Sequence, residues 1–294
     1  MIGDFPIISF DTSAHNRLVD DGAVSEPLIA GLKSGMSFRF VGLSLEEMFA
    51  DPDPTHRNAL FNFCSRLQQS GMTECICPHN EMIKRLVKGY YKNPTEFNWK
   101  TVDVKDRESE RAIRFRRELV DANDVFAEPS AEPKRLRKEY KAGFANIRPK
   151  LEEVFANYGE AQPSRFREVI ARLQSPGSLT WGLGKWLYDR AAETDASEAT
   201  VRQFMDVCPP FRALIYAMLM SWYQLAVRAE TGERFKAGRN DLLMAAHLPY
   251  CDKFVTAEKC GEQEKCLREV AILAGLETEV LSYEDFSNSF LVTV

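Results

Sequence analysis

Short apolar runs alternate with amphipathic stretches at both ends of the chain. Residues 6–10 (PIISF) form one such run, which predicts a buried strand. Ser25 is placed to cap a helix over 26–33, with Glu26 and Pro27 suited to its first turn. Gly35 separates that helix from a second strand at 36–41 (MSFRFV). Ser44 is the next N-cap candidate, and Glu47 stands three residues later, the capping-box spacing. A further helix is expected over 56–69, stopped by Gly71.

From about Tyr90 the pattern changes. Residues 103–124 are densely charged, and 127–133 (AEPSAEP) read as a linker. Helical patterns then recur at 149–157, 164–173, 181–193, 198–205 and 211–229. After Gly232 and Gly238 the strand–helix alternation returns. It predicts a short helix at 240–247, a strand at 253–256, a helix at 262–274 ended by Gly275, and a last strand at 278–281. Alternation of this kind predicts an α/β fold with parallel strands. The expected organisation is one α/β domain made of residues 1–90 and 238–294, interrupted by an all-helical insertion over 91–237.

Composition narrows the function classes. The 294 residues are 45% hydrophobic and 28% charged, the profile of an ordinary globular protein with room for a sizeable core. A net charge of −5 excludes a global basic field, so a nucleic-acid ligand would need local positive charge or a bridging cation. Seven scattered cysteines do not form a disulfide framework; reduced thiols and a cytoplasmic location are the simpler expectation. The first residues lack a basic and apolar leader. The most apolar stretch, 213–227, is shorter than a bilayer requires and is flanked by Arg212 and Arg228. A buried helix is expected there, and no membrane partner.

In parallel α/β sheets, ligands bind beyond the carboxyl ends of the strands, and acids stand at such positions here. Asp11 ends the first strand, and Glu46 and Glu47 follow the second. Asp241 opens the helix before the strand at 253–256, and Glu258 lies just past that strand. Carboxylates brought together repel unless a cation neutralises them. Their oxygen ligands suit Mg²⁺ or Mn²⁺. Such ions support phosphodiester hydrolysis without a protein nucleophile.

These residues carry a resemblance. PIISFDTSAHNRL, with Asp11 closing a hydrophobic strand, looks like the first motif of PIN-domain nucleases. VGLSLEEM resembles their second motif and selects Glu47 over Glu46. NDLLMAAHLPYCDKFVTAEK resembles the third and fourth, placing Asp241 and Glu258 on the remaining acids, with Glu where the family usually has Asp. The likeness spans roughly 6–70 and 238–286. It implies a PIN-like three-layer α/β/α sandwich with a mostly parallel central sheet. It also implies a Mg²⁺- or Mn²⁺-dependent nuclease, with RNA the commoner substrate, whose metal ligands and catalytic acids are Asp11, Glu47, Asp241 and Glu258. Thr12, Ser13, Glu46, Asp252 and Thr256 are expected to support them. The alternatives are a catalytically weak PIN-like module that binds RNA or protein, and a phosphohydrolase acting on small phosphoesters.

Blander readings stand beside these. Asp241 and Glu47 suit helix N-termini through the helix dipole, and Glu258 suits a solvated loop. Only the joint order and spacing of the acids favour a shared site. Cys75-x-Cys77-x-His79 lacks a partner pair for zinc. His15, close after Asp11, could contact phosphate, although a lone His proves little, and His247 near Asp241 reads as structural rather than as a site residue. Arg114, Arg117, Arg135 and Lys138 belong to a basic section that could contact phosphate, although interleaved glutamates equally suggest an ion-paired face. Trp181, Trp186, Trp222, Tyr188, Tyr216 and Tyr223 are expected in a core or an interface, and the helical section could dock a protein partner or a second copy.

Overall fold

The computed structural model describes residues 6–114, 149–155, 165–228, 242–258 and 262–293. Strand β1 (Ile7–Phe10) leads into helices α1 (Thr12–Asp20) and α2 (Gly22–Lys33), then β2 (Ser37–Val41). Helices α3 (Gly42–Phe49) and α4 (Pro54–Ser70) connect β2 to β3 (Met72–Ile76). A long crossover follows. It contains α5 (His79–Lys92), α6 (Arg107–Arg114), a helical stretch at 149–155, α7 (Phe166–Arg172), α8 (Leu179–Ala192), α9 (Glu198–Val207) and α10 (Pro209–Arg228). A 3₁₀ segment, Met244–Tyr250, delivers the chain to β4 (Lys253–Thr256). Helix α11 (Glu262–Leu273), β5 (Glu279–Ser282) and α12 (Tyr283–Thr293) complete it.

The strands form one five-stranded sheet in the order β3-β2-β1-β4-β5. Every pairing is parallel. Alternate residues face opposite sides of a pleated strand, and the core divides accordingly. Ile8, Phe10, Phe38, Phe40, Cys75 and Val255 face a cluster built with α1, α2, α4 and α12. Val41, Ile76, Phe254 and Val280 face a second cluster, built with α5, the crossover helices and α11. The result is an α/β architecture with helices on both faces, compatible with a three-layer sandwich.

The helical section is part of this packing. To pass from β3 at the sheet edge to β4, the chain must cross the face of β2 and β1. Helix α10 lies against the 3₁₀ segment and α11, and its Leu214, Ile215, Ala217 and Leu219 enter the same cluster as Phe254. Its length and apolarity therefore serve burial, as expected for 213–227. No helix among the described residues is long and apolar enough to cross a membrane.

Several local expectations change. Helix α2 begins at Gly22, so Ser25 is interior and buried rather than a cap. Helix α3 starts directly after β2, and Ser44 is likewise interior, 3.4 Å from the Phe10 carbonyl. Gly42 is required at that junction, because a Cβ there would stand 2.6 Å from the Ile76 carbonyl oxygen. Trp186, expected in a core or an interface, lies outside the core at 52% exposure, with Arg190 stacked on its ring.

Candidate active site

The strand order reverses between β1 and β4. Helix α1, leaving β1, packs on one face, whereas α11, leaving β4, packs on the other. In α/β sheets ligands bind at such a switch point, beyond the carboxyl ends of the strands. Asp11 follows β1 and Thr256 ends β4, so the two flank this switch point.

Asp11 is the centre of a dense hydrogen-bond network. It caps α1: Oδ1 accepts the Ala14 amide at 2.7 Å. The Ser13 hydroxyl lies 2.8 Å from Oδ1 and 3.0 Å from Oδ2. Thr256 donates its hydroxyl to Oδ2 at 2.6 Å, and the Gln263 amide Nε2 donates to the same oxygen at 3.1 Å. Ser13 also accepts the Ala257 amide at 2.9 Å, which ties the two loops of the switch point together. Asp11 is only 2% exposed. Burial pushes its carboxyl from 3.8 up to about 6, against the opposing pull of the bonds from Thr256, Ala14 and Ser13; the Glu47 charge adds to the rise. Among the described residues no Lys or Arg side chain forms an ion pair with Asp11.

Glu47 reaches the same edge from α3, where the Thr12 hydroxyl donates to its Oε2 at 2.6 Å. Glu46 is its neighbour on the helix and is also half-buried. Glu258 is exposed, and its Oε2 accepts the Gln263 backbone N–H at 2.8 Å, in the first turn of α11. Asp241 lies outside the described residues. The chain resumes at Leu242, and the Met244 sulfur lies 3.6 Å from the Ser44 hydroxyl. Among the described residues no group of three His, Cys, Asp or Glu side chains is placed to hold a metal ion.

One expected supporting residue is at the wrong end of the sheet. Asp252 precedes β4, and its carboxylate accepts the Ile7 backbone N–H at 2.7 Å, at the amino edge where β1 begins. In a parallel sheet that edge is remote from Asp11, so Asp252 pins the entry of β1 and takes no part in the site.

The basic section is only partly described. Lys105 pairs with Glu74 at 2.5 Å and Arg107 with Asp103 at 2.9 Å, so its first cations are ion-paired. Arg114 is the last residue of α6. Arg117, Arg135 and Lys138 lie outside the described residues. Cys75 and Cys77 belong to opposite core clusters, because Cys77 lies past the end of β3, where the strand alternation no longer holds.

Sequence reasoning missed Gln263. The buried residues of α11 and its continuation are Gln263, Cys266, Leu267, Glu269, Val270, Ala271 and Ala274, with Glu269 paired to Arg167. A carboxamide at an apolar spacing (263, 266, 267, 270, 271, 274) was the available signal, since a buried amide requires partners. Compared with known proteins, the chain matches no family model, no curated sequence and no solved structure.

Proposed function

We propose that the protein is a metal-dependent nuclease of PIN-like fold that hydrolyses phosphodiester bonds, with RNA as the first substrate to test. The observation that carries this reading is Asp11: a buried carboxylate at the topological switch point, flanked by the Glu47 charge and without an ion-pair partner among the described residues. A buried carboxylate with a raised pKa at such a position is a functional-site signature. The donors at hand are carboxylate and hydroxyl oxygens, which suit Mg²⁺ or Mn²⁺ rather than a soft metal. The cation would be held by Asp11 and Glu47, with Asp241 and Glu258 completing the set by resemblance. When bound, it would supply Lewis-acid polarisation of a phosphoryl oxygen and lower the pKa of water. The chain's own residues fix the geometry: Thr256 and Ser13 hold the Asp11 carboxylate in one rotamer, and Thr12 holds Glu47.

The test is cleavage of labelled RNA and DNA oligonucleotides in Mn²⁺, beside turnover of a nucleoside monophosphate. Cleavage that Asp11→Asn abolishes supports the reading; cleavage unchanged by that substitution removes it. A second reading, a catalytically weak PIN-like module that binds RNA or protein, is favoured by one observation. Both oxygens of Asp11 already accept protein donors.

A further inference from the structure

Helix α5 carries Lys84, Arg85, Lys88 and Lys92 against a single acid, Glu81, in a chain whose net charge is −5. Its buried side is Met82, Ile83, Leu86, Val87 and Tyr90. Lys84, Lys88, Tyr91 and Lys92, at helical spacing, share the exposed face. Arg85 is turned to Glu81 and to the carbonyls of Asp103 and Lys105. Lys88 lies 3.9 Å from Glu193. Among the described residues Lys84 and Lys92 form no ion pair. Tyr91 is 57% exposed. The neighbouring α8, whose Tyr188 ring meets that of Tyr90 edge-on, adds the exposed Trp186 with Arg190 over its ring at 5.6 Å. Both exposed aromatic side chains among the described residues therefore lie on this pair of helices.

We infer that the exposed face of α5, extended by Trp186 and Arg190 of α8, is a docking surface for single-stranded RNA. Lysine is depleted at the centres of protein–protein interfaces, whereas phosphate oxygens accept from lysine and arginine alike. Exposed rings offer faces to unstacked bases, which a duplex does not present. From Lys84 to Lys92 the helix rises about 12 Å, a length that spans about three or four phosphates of a strand. This is the local positive charge that a net acidic chain needs in order to hold a polyanion. Helix α5 also leaves the carboxyl end of β3, the edge of the sheet at which Asp11 stands, so a strand lying on α5 is led towards that edge. RNA as the occupant rests on the proposed function; the surface itself requires no metal ion.

Fluorescence anisotropy of a labelled oligouridine with the full chain, in EDTA, tests the surface. Wild type should bind, with an affinity that falls as salt rises. Lys84→Gln/Lys88→Gln should weaken binding about tenfold and lower the slope of log affinity against log salt by about 1.4, the loss of two phosphate contacts. Tyr91→Ala should weaken it about tenfold, as the loss of one base stack would. Lys33→Gln/Arg66→Gln removes the same charge from exposed positions on α2 and α4, which pack on the other face of the sheet. That control should change binding by no more than about twofold, because salt screens remote charges. Equal loss in the two double variants, or binding untouched by Lys84→Gln/Lys88→Gln and Tyr91→Ala, overturns the surface. Absence of RNA binding overturns it outright; capture on phosphatidylserine vesicles, lost in Lys84→Gln/Lys88→Gln, would then assign the face to a membrane surface. Cleavage in Mn²⁺ is read separately through Asp11→Asn, so the surface can fail while the nuclease reading stands.

Discussion

The Thr256 hydroxyl donates to the Asp11 carboxylate at 2.6 Å, across the gap between the two strands whose connections diverge. Both residues are 2% exposed, so neither can exchange this bond for one with water. Removing the donor leaves a buried acceptor short of a partner, which costs about 2 kcal/mol when the acceptor is charged. Thr256→Val should lower unfolding free energy by that amount in urea titration, and Thr256→Ser should restore most of it. Equal stability of the valine variant and wild type would show the bond to be dispensable.

Asp11 itself should trade stability for activity. Holding its carboxyl at about 6 rather than 3.8 means that its ionised form costs the fold up to about 3 kcal/mol at neutral pH. Asn removes that charge, and the Thr256 hydroxyl and Gln263 carboxamide can reverse to meet it. Asp11→Asn should therefore unfold at a higher temperature than wild type at pH 7 while losing metal-dependent cleavage. At pH 5 the gap should shrink to about half, because Asp11 is then largely protonated in the folded protein but still ionised in the unfolded chain, and it should close below 3.8. A variant less stable than wild type at pH 7 would contradict this view of the site.

Acid should destabilise the protein through its histidines. Burial holds His15 and His79 down at about 3 and His247 at about 4, with the neighbouring His247 contributing at His79. The unfolded chain binds these protons near 6.5, so it takes up more protons than the folded chain below that pH. Stability from these rings is complete above 6.5 and falls as the pH drops towards 4. Asp11 works in the opposite direction between 3.8 and 6, because its folded form keeps a proton that the unfolded form releases. Three rings outweigh one carboxyl, and the net loss between pH 7 and pH 5 is on the order of 4 kcal/mol. Denaturant titrations at the two pH values measure it directly; a flat profile would mean that the rings are hydrated or partnered.

Gly42 offers a test of the packing beneath the site. An alanine Cβ would press against the Ile76 carbonyl and against the Pro78 nitrogen, each at 2.6 Å. Backbone cannot yield as a flexible side chain can, so Gly42→Ala should cost about 1–3 kcal/mol. It should also shift α3, and Glu47 with it. A melting temperature like that of wild type would show that the junction can relax.

Much of the sheet was legible in the sequence. PIISF, MSFRFV and KFVT are apolar runs bounded by polar or turn residues, and they became β1, β2 and β4. Strand β3 was hidden because it lies at the sheet edge: Met72 is 70% exposed and Glu74 is half-buried, so MTECI has no continuous apolar run. Helix α1 was hidden because it buries only Ala14, His15 and Leu18 within a polar stretch. The helical spacing of Met82, Ile83, Leu86, Val87 and Tyr90 could have revealed α5, but the lysines and arginine among them obscured it. In the site, strand polarity was enough to place Asp11 and Thr256 together, and the same polarity argues against Asp252. Gln263 was harder to find, because its role depends on α11 returning its first turn to the end of β1, a tertiary contact that no local pattern records.

Strand β1 pairs on one side with β2, where Ile8 meets Phe38, and on the other with β4, where Ile8 meets Lys253. During synthesis β1, β2 and β3 are thus available long before the strand that fills the other flank of β1. Contacts so distant along the chain form slowly. Until they form, Asp11 has neither its Thr256 nor its Gln263 donor, and a chain interrupted before β4 would carry half of the switch point and an open sheet edge. The Asp11 network therefore stays incomplete until translation is well into the final third of the polypeptide.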